Sequence, residues 1–561
     1  MVKRRLLGAA LALLAGTGLT AAPDGARSPA APSHQRPNIL LIVADDLGYS
    51  DIGAFGGEIA TPNLDRLAQA GVRFADFHAA PACSPTRAML LTGRDHHAAG
   101  LGTMAEFTDP AQRGRPGYEG YLKLKMPTIA SALSARGYYT AMAGKWHLGY
   151  AEKQSPKAHG FARSFALLDG AGNHYGIDQT AQWRSVGIGV GTQYREDGRL
   201  TTFPEGAYSS DLFTEKLIGY LTSPARAHRP FFAYLAFTAP HWPLQAPADV
   251  VAKYSGKYDD GPMALRERRL KRMKELGIVP PDVRPFQPLA VEDWHALSAE
   301  RRRIEARKME IYAAMVDRLD QNVGRLLASL SRSGDLENTI VVFLSDNGPD
   351  GGGGAPALHD PRTQASLGID NSLENMGRAH SFLTYGAGWA QAGSAPFNRF
   401  KGYTTEGGTR VPAFISGAGV TWHGISHALT HVTDMMPTAL ALAAGPASSA
   451  RKPATEGRSL VPLLRDARIT QVRQPDEAIG EELFFGRSLR AGQWKAVYPA
   501  PTRPPTMLSD TDGRWHLYDL SVDPGETRDL AAEHPDILAG LVRHWDDYAR
   551  RNDVVLHPAA D

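Results

Sequence analysis

The sequence predicts an α/β fold: a large, mainly parallel sheet with helices on both faces, joined to a smaller C-terminal α+β part that carries a short antiparallel sheet. Three observations carry the prediction. The runs at 38–44, 231–237 and 340–344 are apolar but for Asn38 at the start of the first, as expected of strands covered on both sides. Helical patterns with proline near their start and glycine after their end lie between the first two runs. Asp45-Asp46 and Asp346-Asn347 follow two of the apolar runs closely, at the carboxyl ends of strands, where open α/β sheets place their ligands.

Length and charge set the frame. With 561 residues the chain can bury a large core, and 61 basic against 59 acidic side chains give a formal net charge of +2. Such a balance offers no footprint for nucleic acid. The chain starts Met1-Val2-Lys3-Arg4-Arg5 and continues with an apolar run over 6–19, Ala21-Ala22 and a Pro/Ala/Ser-rich stretch to Pro37. That run is shorter than the roughly 20 residues a bilayer needs, so residues 1–36 are expected to be a signal peptide and linker, and the product exported, periplasmic or secreted, without stable membrane insertion. An uncleaved anchor is the alternative. Cys83 is the only cysteine, so no intrachain disulfide can form. Residues 37–450 are expected to be the catalytic domain and 451–561 a C-terminal subdomain.

In order along the chain, the 38–44 strand ends in Asp45-Asp46, two carboxylates that repel each other unless a cation stands between them. Thr61 and Pro62 open a helix that Gly71 closes, and 72–74 returns as a strand. Cys83-Ser84-Pro85-Thr86-Arg87 then opens an apolar helix. Its positive end and Arg87 together favour an anion such as a sulfate or phosphate ester. A helix from Pro127 to near Gly137 leads to a strand at 138–143 and then Gly144-Lys145-Trp146-His147, where an extended chain would turn Lys145 and His147 to one side and the indole to the other. The strand at 231–237 runs into Pro240-His241-Trp242-Pro243, with His241 held between prolines. The arginines and lysines of 264–277 read as a solvated helix face in an insertion. A long helix over 303–330 carries Ile304, Ile311, Met315, Leu319, Val323 and Leu326 on one stripe. The strand at 340–344 follows it and leads to Asp346-Asn347. Asp45, Asp46, Asp346 and Asn347 are an all-oxygen donor set suited to a hard cation, with Ca²⁺ preferred over Mg²⁺. Residues 351–394 read as loops near this site. Lys401, a strand at 412–416 and a helix at 434–444 complete the first part. Short alternating strands near 488–490, 494–498 and 515–520 and a terminal helix over 535–550 make up the rest.

The string Cys-x-Pro-x-Arg, followed by Thr92-Gly93-Arg94, resembles the signature of the type I, formylglycine-dependent sulfatases. The order of Asp45-Asp46, Gly-Lys-Trp-His-Leu-Gly, Pro-His-Trp-Pro, Ser-Asp-Asn-Gly, Lys401 and Glu-Gly-Gly-x-Arg-Val-Pro is similar to the arylsulfatases over about 37–550. The resemblance implies an alkaline phosphatase-like fold and conversion of Cys83 to Cα-formylglycine by a formylglycine-generating enzyme. It implies one Ca²⁺ on Asp45, Asp46, Asp346, Asn347 and the modified Cys83. Arg87, Lys145 and His147 would hold the hydrated aldehyde, while His241 and Lys401 would contact the sulfate and the leaving oxygen. The implied reaction is hydrolysis of a small sulfate ester, above all an aryl sulfate, to a phenol and inorganic sulfate. His147 is the candidate base, because the diol must lose a proton to release sulfate. A phosphate or phosphonate ester hydrolase of the same superfamily is the nearest competitor, and an unmatured, non-catalytic Ca²⁺-binding homologue is the other.

Overall fold

The computed structural model describes residues 36–186, 191–352, 354–444, 454–500 and 512–556. The expected leader, save its last residue, and the expected domain boundary at 450/451 lie outside the described residues. The strands in chain order are β1 (Asn38–Ala44), β2 (Val72–Phe74), β3 (Phe77–His78), β4 (Tyr139–Lys145), β5 (Arg163–Leu167), β6 (Tyr194–Glu196), β7 (Arg199–Thr201), β8 (Phe231–Ala236), β9 (Thr339–Ser345), β10 (Ala413–Gly417), β11 (Gly424–Ser426), β12 (Thr430–His431), β13 (Ile479–Leu483), β14 (Gly486–Ala491), β15 (Trp494–Tyr498) and β16 (His516–Asp519). Ten of them form one sheet in the order β11-β2-β10-β9-β1-β8-β4-β5-β6-β7.

The centre of that sheet is parallel: β9, β1, β8, β4 and β5 run in one direction. Toward its margins the sheet becomes mixed, because β10 is antiparallel to both β9 and β2, and β6 and β7 form a hairpin beside β5. Every residue of β1 and β9 is buried. Along β1, Leu40, Ile42 and Ala44 join one core and Ile39, Leu41 and Val43 the other, the two-residue period of a strand with a core on each side. The first core is filled from the Ala299–Arg332 helix by Ile311, Met315, Leu319, Val323 and Leu326. The second takes Ala88, Met89, Leu90 and Leu91 from the Cys83–Thr92 helix, all ten residues of which are buried. Each of these side chains other than Ala88 contributes about 1.5–3 kcal/mol of burial. Strands β13 to β16 form a separate antiparallel sheet, packed against the Pro535–Arg551 helix through Leu489, Ala496, Leu517 and Trp545.

Two expectations are corrected. The 264–277 stretch lies in a helix, Gly261–Glu275, but it is not uniformly solvated. Arg269 is buried, with Nε 2.7 Å from Glu58 Oε2 and a second ion pair to Asp51, and Arg266 donates to the carbonyls of Phe286, Gln391 and Pro396. Local composition could not show acids more than 200 residues away. The 351–394 region also contains helices, Pro361–Leu367 and Gly386–Gly393. The first starts with Asp360 accepting from the Thr363 N–H and Pro361 at the first position, and Gly368 caps its end at φ 66°, signals that the polar composition obscured.

Candidate active site

Parallel pairing places the carboxyl ends of β9, β1, β8 and β4 side by side, and the chemistry-bearing residues of several distant segments meet there. Asp45 and Asp46 leave β1, Asp46 with φ at 64°, and Asp346 and Asn347 leave β9. The two ends are stitched together, with the Asp46 N–H donating to Asp346 Oδ1 at 3.2 Å and the Leu47 N–H to Ser345 Oγ at 3.0 Å. The first turn of the Cys83–Thr92 helix brings in Cys83, whose Sγ lies 3.4 Å from Asp45 Oδ1 and 3.7 Å from Asp46 Oδ1. Burial pushes its thiol well above the ordinary cysteine value.

Three cations neutralise three carboxylates. Arg87 donates from Nε and Nη2 to Asp346 Oδ2 at 3.0 and 2.7 Å, and from Nη1 to the Lys145 carbonyl and the Tyr234 hydroxyl. Lys145, the last residue of β4, sets Nζ 2.9 and 2.7 Å from the two oxygens of Asp45. Lys401 Nζ is 2.8 Å from Asp46 Oδ2. Burial drives Asp45 up to about 7 in spite of Lys145, with Asp346 and Asp46 adding to the rise. Burial opposes ionisation of Asp46 as well, but there Lys401 and His241 prevail and hold its carboxyl below the usual range.

The two histidines are oriented differently. His241 Nδ1 donates to the Trp242 carbonyl at 2.7 Å, which leaves Nε2 turned to Asp46 Oδ2 at 3.4 Å. His147 does not continue the extended chain of β4. Its φ of 56° is left-handed, and its Nε2 pairs with Glu106 at 3.2 Å, while Nδ1 is buried without a hydrogen-bond partner. Burial lowers the His147 pKa against the pull of Glu106, and Glu106, itself opposed by burial, is held down at about 2 by His147. Glu106 also accepts from the Tyr150 hydroxyl at 3.1 Å. No sequence pattern marks Glu106 or Tyr234, and both enter the site only through folding.

The donor set fits a hard cation. Asn347 Nδ2 donates to Asp46 Oδ1 at 2.6 Å, and its Oδ1 is buried with no donor facing it. An orphaned buried oxygen beside carboxylates is what a bound cation would satisfy. Asp45, Asp46, Cys83 and His241 can each bring a ligand atom within 4.8 Å of the others. Asp346 stands beside them, committed to Arg87. A cavity of about 140 Å³ adjoins the cluster, lined by Lys401 and His241 and by Glu106, Asp350, Trp242 and Phe400 among others.

A mixed α/β sheet with a thiol, paired acids and buried cations at its carboxyl edge has the charge and the position suited to a centre that takes anionic esters. Comparison with known proteins specifies it further. A family model described as Sulfatase matches residues 37–446. The chain is 42% identical over 539 residues to an uncharacterized sulfatase of Schizosaccharomyces pombe, covering 93% of this chain and 95% of the relative. It is 37% identical over 415 residues to an arylsulfatase of Klebsiella aerogenes, covering 73% and 87% of the two chains. The solved structure of Ps i-CgsB in complex with k-i-k-neocarrahexaose superposes with a TM-score of 0.65 at 23% identity, covering 93% of this chain and 94% of that one. The chain belongs to the sulfatase family, with its alkaline phosphatase-like fold, and is a sulfuric ester hydrolase. Among the described residues no helix is long and apolar enough to cross a membrane.

Proposed function

We propose that this protein hydrolyses aryl sulfates, using Cys83 matured to formylglycine and one Ca²⁺ at the carboxyl edge of the sheet. The observation that carries the reading is the approach of Cys83 Sγ to Asp45 and Asp46, inside a shell that also holds Arg87, Lys145 and Lys401. The matured residue would supply a hydrated aldehyde as nucleophile, and the cation would supply positive charge for the sulfuryl oxygens. Asp45, Asp46, Asp346 and the orphaned Oδ1 of Asn347 would hold that ion. A buried thiol facing carboxylates is a poor nucleophile in its own right, since both burial and the neighbouring acids oppose the thiolate.

The chain's own groups divide the remaining work. Arg87 and Lys145 preorganise positive charge around position 83. His147 is the base: Glu106 accepts from Nε2–H, so Nδ1 keeps its lone pair. Lys401 and His241 serve the leaving oxygen. Because the Nδ1–H of His241 is committed to Trp242, its Nε2 gives a proton only from the imidazolium, whereas Lys401 has a proton to give in its ordinary charged state. Export to the periplasm or the medium, maturation by a formylglycine-generating enzyme, and a C-terminal subdomain over 451–561 belong to the same proposal. The separate β13–β16 sheet supports the last of these.

One preparation tests the reading. Active protein is digested with trypsin, the peptide from Phe74 to Arg87 is weighed, and the metal is measured by elemental analysis. The expected result is a peptide lighter than its sequence by the thiol-to-aldehyde change, together with one calcium per chain. Full activity with an intact Cys83 thiol would reject it.

A further inference from the structure

Phe107, Trp242, Phe400 and Phe484 line part of the cavity beside Lys401 and His241, and Phe107 and Phe484 come from outside the sulfate-binding motifs. Phe107 ends the short helix Ala105–Phe107 and is 41% exposed. Phe484 sits in the two-residue turn between β13 and β14, where Leu483 and Gly486 pair across the hairpin. The two rings meet edge to face, with centroids 5.7 Å apart and planes at 87°. Phe484 also packs on Met104, Leu483 and Ala82, the residue before Cys83.

That turn is strained. Phe484 and Phe485 have φ of 49° and 66°, a left-handed pair of the kind a tight hairpin normally fills with Asn-Gly. Bulky side chains are disfavoured in this conformation and persist in it only where their surroundings over-determine them. Here Glu482 does so. Its Oε1 accepts the Phe485 N–H at 2.7 Å, and its Oε2 lies 3.0 Å from His97 Nε2. His97 is anchored in turn by Asp95, 3.0 Å from Nδ1, just past the end of the Cys83–Thr92 helix. The strained turn is thereby tied to the segment that follows the Cys83–Thr92 helix, and its first ring is delivered to the cavity.

We propose that Phe484 and Phe107 form an aromatic wall that selects a flat apolar leaving group, and so aryl sulfates over saccharide sulfates. The inference rests on the reading of the chain as a sulfate ester hydrolase and adds to it the residues that choose the leaving group. The two rings touch each other, so a phenyl ring gains area and a ring contact by lying against the surface they form together. A saccharide turned to the same wall would desolvate hydroxyls that neither ring can pair, which is how an apolar pocket rejects a polar substrate.

The test compares full-length matured wild type with F484A, F484L and F107A. Initial rates are taken with 4-nitrophenyl sulfate and with glucose 6-sulfate, and 4-methylumbelliferone, a phenol without sulfate, is titrated by fluorescence. F484A and F107A are expected to raise both the KM for the aryl ester and the Kd for the phenol about tenfold, the scale of one lost ring contact. The kcat for the aryl ester should change little, F484L should fall between, and the aryl-to-saccharide ratio of kcat/KM should drop about tenfold. Equal losses on both esters, or an unchanged Kd for the phenol, would overturn the proposed aromatic wall. A wild type that turns over neither ester would remove the aryl sulfate reading, while the phenol titration would still decide the aromatic wall. Melting temperatures identify any variant that fails to fold, and F107A lies on a different element from the strained turn.

Discussion

His147 and His241 bring the same side chain to one site and are held in opposite ways, so their replacement should read differently. Glu106 takes the Nε2 side of His147 and the Trp242 carbonyl takes the Nδ1 side of His241. With a series of substituted phenyl sulfates, His241→Ala and Lys401→Ala should steepen the dependence of rate on phenol pKa, because charge on the departing oxygen is left without its partner. His147→Ala should lower turnover to one level for all of them, since the step proposed for it follows departure of the phenol. Parallel losses in all three variants would refute these roles. A third histidine gives a pH prediction away from the chemistry. His159 lies 5.7 Å from Trp146, ring to ring, with its Nε2 buried and unpartnered, and burial pushes its pKa down to about 4. The folded value is thus below the unfolded value of about 6.5, so the unfolded chain binds the extra proton between them. Stability is whole above about pH 6.5 and falls as pH drops toward 4, by up to about 3 kcal/mol from this group. Urea midpoints across that window should fall less for His159→Phe than for wild type, and parallel profiles would show that His159 is not the titrating group.

At the scale of the element, β4 shows how a strand is shaped to deliver one ammonium group. Gly144 faces Ala236 of β8 in the parallel register and has φ of 118°; a Cβ there would stand 1.7 Å from the Ala236 carbonyl oxygen. Only glycine permits that approach, and the next residue is Lys145, whose Nζ must reach Asp45. Gly144→Ala should therefore part β4 from β8, destabilise the fold by about 3 kcal/mol or more and depress activity. Thermal unfolding checks the first expectation; a melting temperature equal to that of wild type would mean that the strand pair absorbs a side chain there.

Over the whole molecule, a buried charge network joins the C-terminal sheet to the large one. Arg490 of β14 holds Asp76 through Nη1 and Nη2 at 2.9 and 2.7 Å. Lys495 of β15 sets Nζ 2.8 Å from Glu406 Oε1 and 3.0 Å from Glu526 Oε1, and all three side chains are buried. Burial pushes Glu526 up, and the Glu406 charge adds to it against Lys495. Lys495→Met would leave two carboxylates facing each other in the interior, at a cost of about 3–5 kcal/mol. The urea midpoint should fall accordingly, and Glu526→Gln added to the same variant should restore part of the loss. A variant as stable as wild type would mean that water already screens the site.

By itself the sequence determined the parallel centre of the sheet and marked Asp45, Asp46, Lys145, His147, His241, Asp346 and Asn347 after its strands as candidate site residues, with Cys83 at a helix start and Lys401 added by the family resemblance. Strands buried on both faces are written in unbroken apolar runs, and a site at their carboxyl ends is written in the residues that come next, so both are local signals. Only the tertiary structure decided that Glu106 orients His147, that Tyr234 steadies Arg87, that Arg269 is buried against Asp51 and Glu58, and that a strained turn about 400 residues after Cys83 brings Phe484 to the same cavity. A side chain's partner across the fold leaves no trace in its neighbours along the chain, because charge, tautomer and contact are set by distance in space.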